Sequence, residues 1–179
     1  MFLWVGQNVL LVVSAIMRLN LYVETYLLTY WRVAAFIWMA IVAIGLILIL
    51  TRIVMYRSNA WLIAANLIVL ALTIYVCSFV NFASLVANYN VAQSLAPANA
   101  GRPVDLNYIV ELGPQAIPAL DRYIAAHPAW NPGHFRGHRN NYAAAHATHT
   151  QSWRAFTFRG WRLSRYLYEA KRAGALTPP

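Results

Sequence analysis

The sequence predicts an all-α integral membrane protein with three transmembrane helices, one interfacial helix and a small, basic, helical tail domain. Three observations lead there. Two long runs, Val33–Leu50 and Ala60–Val80, contain no charged residue at all. The charges divide sharply: residues 1–100 hold only Arg18, Glu24, Arg32, Arg52 and Arg57, whereas residues 101–179 hold ten Arg/Lys, four acids and every histidine. Apolar residues in the tail recur at three- and four-residue intervals, the period of a helix rather than a strand.

A spanning helix needs about 20 mostly apolar residues to cross roughly 30 Å of hydrocarbon. The runs "VAAFIWMAIVAIGLILIL" and "AWLIAANLIVLALTIYVCSFV" meet that test and define spans at about 33–51 and 60–80. To bury such helices in a soluble protein would take a much larger surrounding domain than 179 residues supply. The opening stretch "FLWVGQNVLLVVSAIM" is shorter and carries Gln7 and Asn8. No Arg or Lys precedes position 18, unlike a cleaved signal peptide, so a first span over 2–17 is expected. Its two amides, with Asn66 of the third span, are candidates for helix–helix contacts, because an unpaired amide in lipid is costly. Leu19, Tyr22, Val23, Tyr26, Leu27 and Tyr30 keep helical spacing and suggest an amphipathic helix over 18–32 lying in the interface. Tyr30, Trp31, Tyr56 and Trp61 stand where aromatic belts form.

The membrane domain is thus expected over 1–93, a Pro/Gly/Ala linker over 94–103 and an extramembrane tail over 104–179. Cys77 lies alone inside the third apolar run and carries no information about redox compartment. For orientation, Arg52 and Arg57 balance Arg18 and Arg32. The absence of an acid from the short 52–60 loop tips that loop toward the cytoplasm and the tail to the extracytoplasmic side.

In "VDLNYIVELGPQAIPALDRYIAAHP", Asp105 is an N-cap, Gly113 a left-handed C-cap and Pro114 a helix opener. Leu106, Ile109 and Val110 form one apolar face, and Ile117, Leu120, Tyr123 and Ile124 another, which together predict a helical hairpin. Glu111 and Asp121 could be read as an acid/base pair, but solvated helix surface is the expected role. Farther on, Trp153, Phe156, Leu163 and Leu167 form an apolar stripe bordered by Trp161 and Tyr168, with Arg154, Arg162, Arg165 and Arg172 opposite and Gly160 weakening the middle. Trp153, Arg154, Trp161, Arg162, Arg165 and Arg172 are therefore the candidates for contact with anionic lipid or with other membrane protein subunits. Basic residues among aromatics also suit nucleic acid. The membrane tether turns the expectation to lipid or protein, and no nucleic-acid partner is expected.

The stretch "GHFRGHRNNYAAAHATHT" holds His134, His138, His146 and His149, the only candidate metal ligands. A zinc site wants three or four ligands with supporting groups behind them. No acid or cysteine lies between Asp121 and Glu169, and Arg136 and Arg139 place positive charge among the imidazoles. Pro132, Gly133 and Gly137 put the first pair in a loop. A polar contact segment is the preferred reading, with metal binding and a pH response near pH 6–7 as alternatives. No cofactor is implied: every histidine lies outside the spans, which leaves none for axial ligation of haem or a chlorophyll-type pigment. P-loop, nucleophile-elbow, Cys-x-x-Cys and His-Glu-x-x-His patterns are all missing.

The segments "RLNLYVETYLLTYWRVAAFIWM" (18–39), "NFASLVANYNVAQ" (81–93) and "VDLNYIVELGPQAIPAL" (104–120), with an Arg/Trp-rich end at "SWRAFTFRGWRLSRYL", carry a resemblance. In order and spacing they are similar to the C-terminal part of a bacterial family of polytopic membrane proteins of unknown function, of the domain of unknown function 4173 / 4153 type. The resemblance implies a bacterial inner (cytoplasmic) membrane location and this architecture, and assigns no catalytic residue. Family members carry further spans upstream of the matching region, which suggests a short paralogue or a piece of a longer member. The histidine stretch matches no family pattern. The expected function is that of a non-enzymatic accessory or stabilising subunit of a larger membrane complex. The alternatives are a membrane sensor or regulator with a ligand- or pH-responsive tail, and a metal-dependent membrane enzyme using the histidines.

Overall fold

The computed structural model describes residues 2–96, 104–127, 133–150 and 152–172. Among these, every regular element is helical, and the chain divides into two compact units, 1–80 and 81–179. Each is described by itself below.

The first unit is three long helices joined by very short turns: α1 (Phe2–Tyr26), α2 (Tyr30–Val54) and α3 (Asn59–Phe79). All three are long and apolar enough to cross a membrane. α1 packs on α2, and α2 on α3. α1 differs from the expectation of a span over 2–17 followed by an interfacial helix over 18–32. Nothing between Met17 and Tyr26 stops a helix, and the stripe through Leu19, Tyr22 and Val23 continues in phase from the residues before it. One unbroken helix results, with Val23 buried.

The helix ends at Leu27, whose φ of 65° is left-handed, a conformation unfavourable for a side chain with Cβ. Leu27 and the following Leu28 are buried, which offsets that cost. Arg32, from the first turn of α2, completes the cap: its Nη1 donates to the carbonyls of Tyr26 (2.9 Å) and Leu27. The guanidinium also stands over the Tyr26 ring, 5.7 Å from its centroid. A cation here answers the negative end of the α1 dipole. Thr29 starts α2, its hydroxyl accepting from the Arg32 N–H, and Ser58 starts α3 by accepting from the Trp61 N–H.

The second unit begins earlier than the expected boundary near residue 94. Helix α4 (Phe82–Leu95) belongs to it, because its buried stripe Ala83, Val86, Ala87, Asn90, Val91 and Ser94 faces the tail helices. Asn81 caps α4 by accepting from the Ser84 N–H, and its own amide donates to Gln115 Oε1 at 2.8 Å. Of the expected linker, 97–103 lies outside the described residues.

Helix α5 (Leu106–Glu111) starts on the Asp105 cap at Tyr108 N and stops at Gly113, whose φ of 81° requires glycine. A 3-10 turn (Pro114–Ala116) then leads into α6 (Ile117–Ala126). This turn sits amid the unit, touching α4, α5, α6, α7 (Gly133–His149) and α8 (Phe158–Arg172). Ile109, Ala116, Ile117 and Leu120 from α5, the turn and α6 meet Val86, Ala87 and Val91 from α4 in the core. The hairpin expected from the sequence therefore closes on α4.

Candidate interaction surface

The histidine stretch is a helix, not the loop expected for its first half. Gly137 costs a helix roughly 1 kcal/mol relative to alanine. The run Ala143–Ala145 favours helix, and α7 is pinned to its neighbours by Arg139, whose side chain is only 6% exposed. The four candidate ligands separate along α7. His134 and His138 stack edge-on with ring centroids 4.6 Å apart, and His138 faces Tyr142. His146 points elsewhere, its Nε2 lying 3.2 Å from Gly160 O and 3.0 Å from Ser164 Oγ of α8. A carbonyl only accepts, so Nε2 carries the proton and donates. His149 is exposed at the helix end. Among the described residues, no three His, Cys, Asp or Glu side chains converge on one point.

Gly160 takes on a different meaning. Rather than weakening the middle of a helix, it sits in the first turn of α8, buried, with its N–H donated to the Thr157 hydroxyl. A Cβ there would come within 2.9 Å of Thr157 Oγ1 and 3.5 Å of the His146 ring. The tight contact is therefore with Thr157 at the start of α8, while the His146 ring stands at ordinary van der Waals distance.

Asp121, expected on a solvated surface, is instead the hub of α6, α7 and α8. Arg139 forks onto it, Nε to Oδ1 and Nη2 to Oδ2, both at 2.9 Å. The Tyr166 hydroxyl donates to Oδ2 at 3.0 Å. Burial first, then the Asp121 charge and the hydrogen bond to it, push the Tyr166 phenol up to about 12. Arg122, on the same helix, donates to Asn88 Oδ1 of α4. No sequence signal marks this node, since its members are 18 and 45 residues apart.

The node and Gly160 decide which way α8 faces. Gly160 and Leu163 point inward, with Leu167 half-buried beside them. The outward face carries Phe158, Trp161, Arg162, Arg165, Tyr168 and Arg172 at three- and four-residue steps. The expected apolar stripe with arginines opposite is thus replaced by a mixed face. Phe158 and Trp161 stack at 5.8 Å, Arg172 lies over the Tyr168 ring, and Arg165 pairs with Glu169 at 2.9 Å in the open. Trp153 and Arg154 stand apart from this face, in a 3-10 turn (Trp153–Ala155) before α8, and Phe156 follows it exposed.

In the first unit the candidate amides behave unlike one another. Asn8 donates its amide to Trp4 O on its own helix, and Gln7 is exposed. Asn66 also donates along its own helix, to Leu62 O, but its Oδ1 faces Gly45 of α2, where a Cβ would stand 3.6 Å away. Gly45 and Asn66 mark the α2–α3 contact.

Comparison with protein families matches residues 1–123 to a domain of unknown function, DUF4153. The chain belongs to this family. The DUF4153 match takes in the three long helices, α4, α5 and most of α6, and the stretches that carry the resemblance, 81–93 and 104–120, are those that pack together as one core. The chain is a membrane-protein member of DUF4153, with three helices suited to spanning a bilayer. No curated protein and no solved structure matches it. The DUF4153 match ends two residues after Asp121, so Arg139, Tyr166 and the whole exposed face of α8 lie beyond it.

Proposed function

We propose that this DUF4153 protein is a non-enzymatic accessory or stabilising subunit of a larger bacterial inner-membrane complex. It acts by helix packing within the bilayer and by docking of its basic tail. The observation that carries this reading is how little the spans cover one another. Of their most apolar stretches, 6% of α1, 6% of α2 and none of α3 is buried. Trp4, Leu10, Trp38, Ile63, Ile68 and Tyr75 all stand exposed. Lipid accepts apolar side chains, but it does not favour the exposed amide of Gln7, which is costly in hydrocarbon without a partner. A neighbouring helix supplies one. The tail's mixed arginine–aromatic face offers a second contact outside the hydrocarbon, and the acid-free 52–60 loop supports reading that tail as extracytoplasmic.

Extraction of the full chain from native membranes in mild detergent, without crosslinking, tests the proposal. Stoichiometric co-elution with other membrane subunits is expected, and a homogeneous lone monomer overturns it. Gln7→Leu would then loosen the complex while leaving the isolated chain folded.

A further inference from the structure

The exposed face of α8 combines two features that suit a charged bilayer surface. It presents three arginines, Arg162, Arg165 and Arg172, against one acid, Glu169, on a tail that is itself strongly basic. Interleaved with them, Phe158, Trp161 and Tyr168 are 64%, 46% and 62% exposed. A shallow groove runs between Phe158, Trp161, Arg162, Arg165, Tyr166 and Glu169. Apolar rings beside guanidiniums suit the headgroup layer, where a ring enters the acyl boundary while the cation stays with phosphate. Basic residues held near a membrane surface are attracted to anionic lipid in proportion to their number, within a Debye length.

We propose that this face of α8 docks on the surface of an anionic phospholipid bilayer. Phe158 and Trp161 insert at the headgroup level, and Arg162, Arg165 and Arg172 take lipid phosphates. The occupant follows from three facts. The face is cationic, its apolar members are aromatic rather than aliphatic, and the tail is continuous with a span that ends at Phe79. A tethered tail meets a bilayer at high effective concentration, whereas any soluble acidic partner must be recruited. The inference rests on the docking half of the function proposed above and needs no partner protein.

Hydrogen–deuterium exchange of the full chain in nanodiscs tests it. In discs containing phosphatidylglycerol, amides of 158–172 should exchange at least several-fold more slowly than in pure phosphatidylcholine discs. Raising the salt to about 0.5 M should remove most of the difference, because screening shortens the reach of these charges. The triple variant Arg162→Gln/Arg165→Gln/Arg172→Gln should abolish it with exchange in 133–149 unchanged. Phe158→Ala/Trp161→Ala should reduce it.

Equal exchange in the two discs overturns the proposal. So does protection that survives the triple variant, or equal protection in phosphatidylcholine discs by added inorganic phosphate or polyglutamate. The discs hold no partner subunit, so failure here leaves the co-elution result untouched, and a lone monomer in that experiment leaves this one standing.

Discussion

Replacing Arg139 with methionine removes the guanidinium while keeping a long apolar stem, and so leaves the Asp121 carboxylate with only the Tyr166 hydroxyl. Breaking a fully buried ion pair from one side costs about 3–5 kcal/mol. The Arg139 side chain is 6% exposed, but that of Asp121 is 24% exposed, so water recovers part of the loss. A destabilisation of about 2–3 kcal/mol is expected, which at about 1.4 kcal/mol per decade is a change of roughly 30- to 150-fold in the opening equilibrium. Hydrogen exchange of the full chain in detergent reads this directly as faster exchange throughout 117–126 and 133–149, where local opening sets the rate. Asp121→Asn should cost at least as much, since it leaves the more deeply buried Arg139 guanidinium without a counter-charge while keeping one hydrogen-bond acceptor. The double variant should fall well short of the sum of the two, because both remove the same interaction. An acceleration below about threefold in Arg139→Met, or strict additivity in the double variant, would refute the idea that one bidentate pair holds α6 to α7.

The remaining predictions concern one titration and two contacts between long helices. Tyr166 is raised in the folded tail from 10.0 to about 12. Its contribution is therefore complete below pH 10 and lost as pH rises through 12, because the unfolded chain gives up this proton first. The stability advantage of the native chain over Tyr166→Phe should shrink across pH 10–12 in urea titrations followed by circular dichroism. A constant gap would exclude the Asp121 bond as its cause. Arg32→Leu should destabilise the α1–α2 turn by about 1–2 kcal/mol, from the usual worth of hydrogen bonds to charged groups with allowance for partial exposure. An unchanged melting temperature in detergent counts against that cap. Gly45→Ala should be tolerated, since a methyl there stands 3.6 Å from Asn66 Oδ1, whereas Gly45→Leu should part α2 from α3 at about 1–3 kcal/mol. Equal melting temperatures for the two variants would place Gly45 outside the interface.

The spans were legible because hydrocarbon imposes a one-dimensional demand, length without charge, that any window of sequence displays. The Asp105 cap and the Gly113 turn were legible for a related reason: their chemistry is local, within three residues. The end of α1 was less so. Leu27 takes a left-handed conformation that a leucine does not advertise, and its cap arrives five residues later from Arg32. Helix α4 fell inside the expected membrane domain over 1–93, and its buried stripe is rich in small and polar residues, Ala83, Ala87, Asn90 and Ser94, which give little hydrophobic signal of its packing in the second unit. The direction of α8 was misjudged from hydrophobicity. Trp161 and Tyr168 outrank Gly160 on any apolar scale, yet it is Gly160 that is buried, beside Thr157 and the His146 ring. The Asp121 node depends on chain segments meeting across the fold, which no local pattern encodes.

That node also bears on how the tail can be cut. The segment matched by the family stops at residue 123, inside α6 and just past Asp121. A chain trimmed there would keep the core of α4, α5 and the central turn. It would also strand a carboxylate without its arginine or its phenol and uncover the face of α6 that α7 had sealed. Such a fragment would be prone to aggregate at the cut end. The smallest piece that keeps every partner of Asp121 runs through Tyr166, more than forty residues beyond the end of the family match.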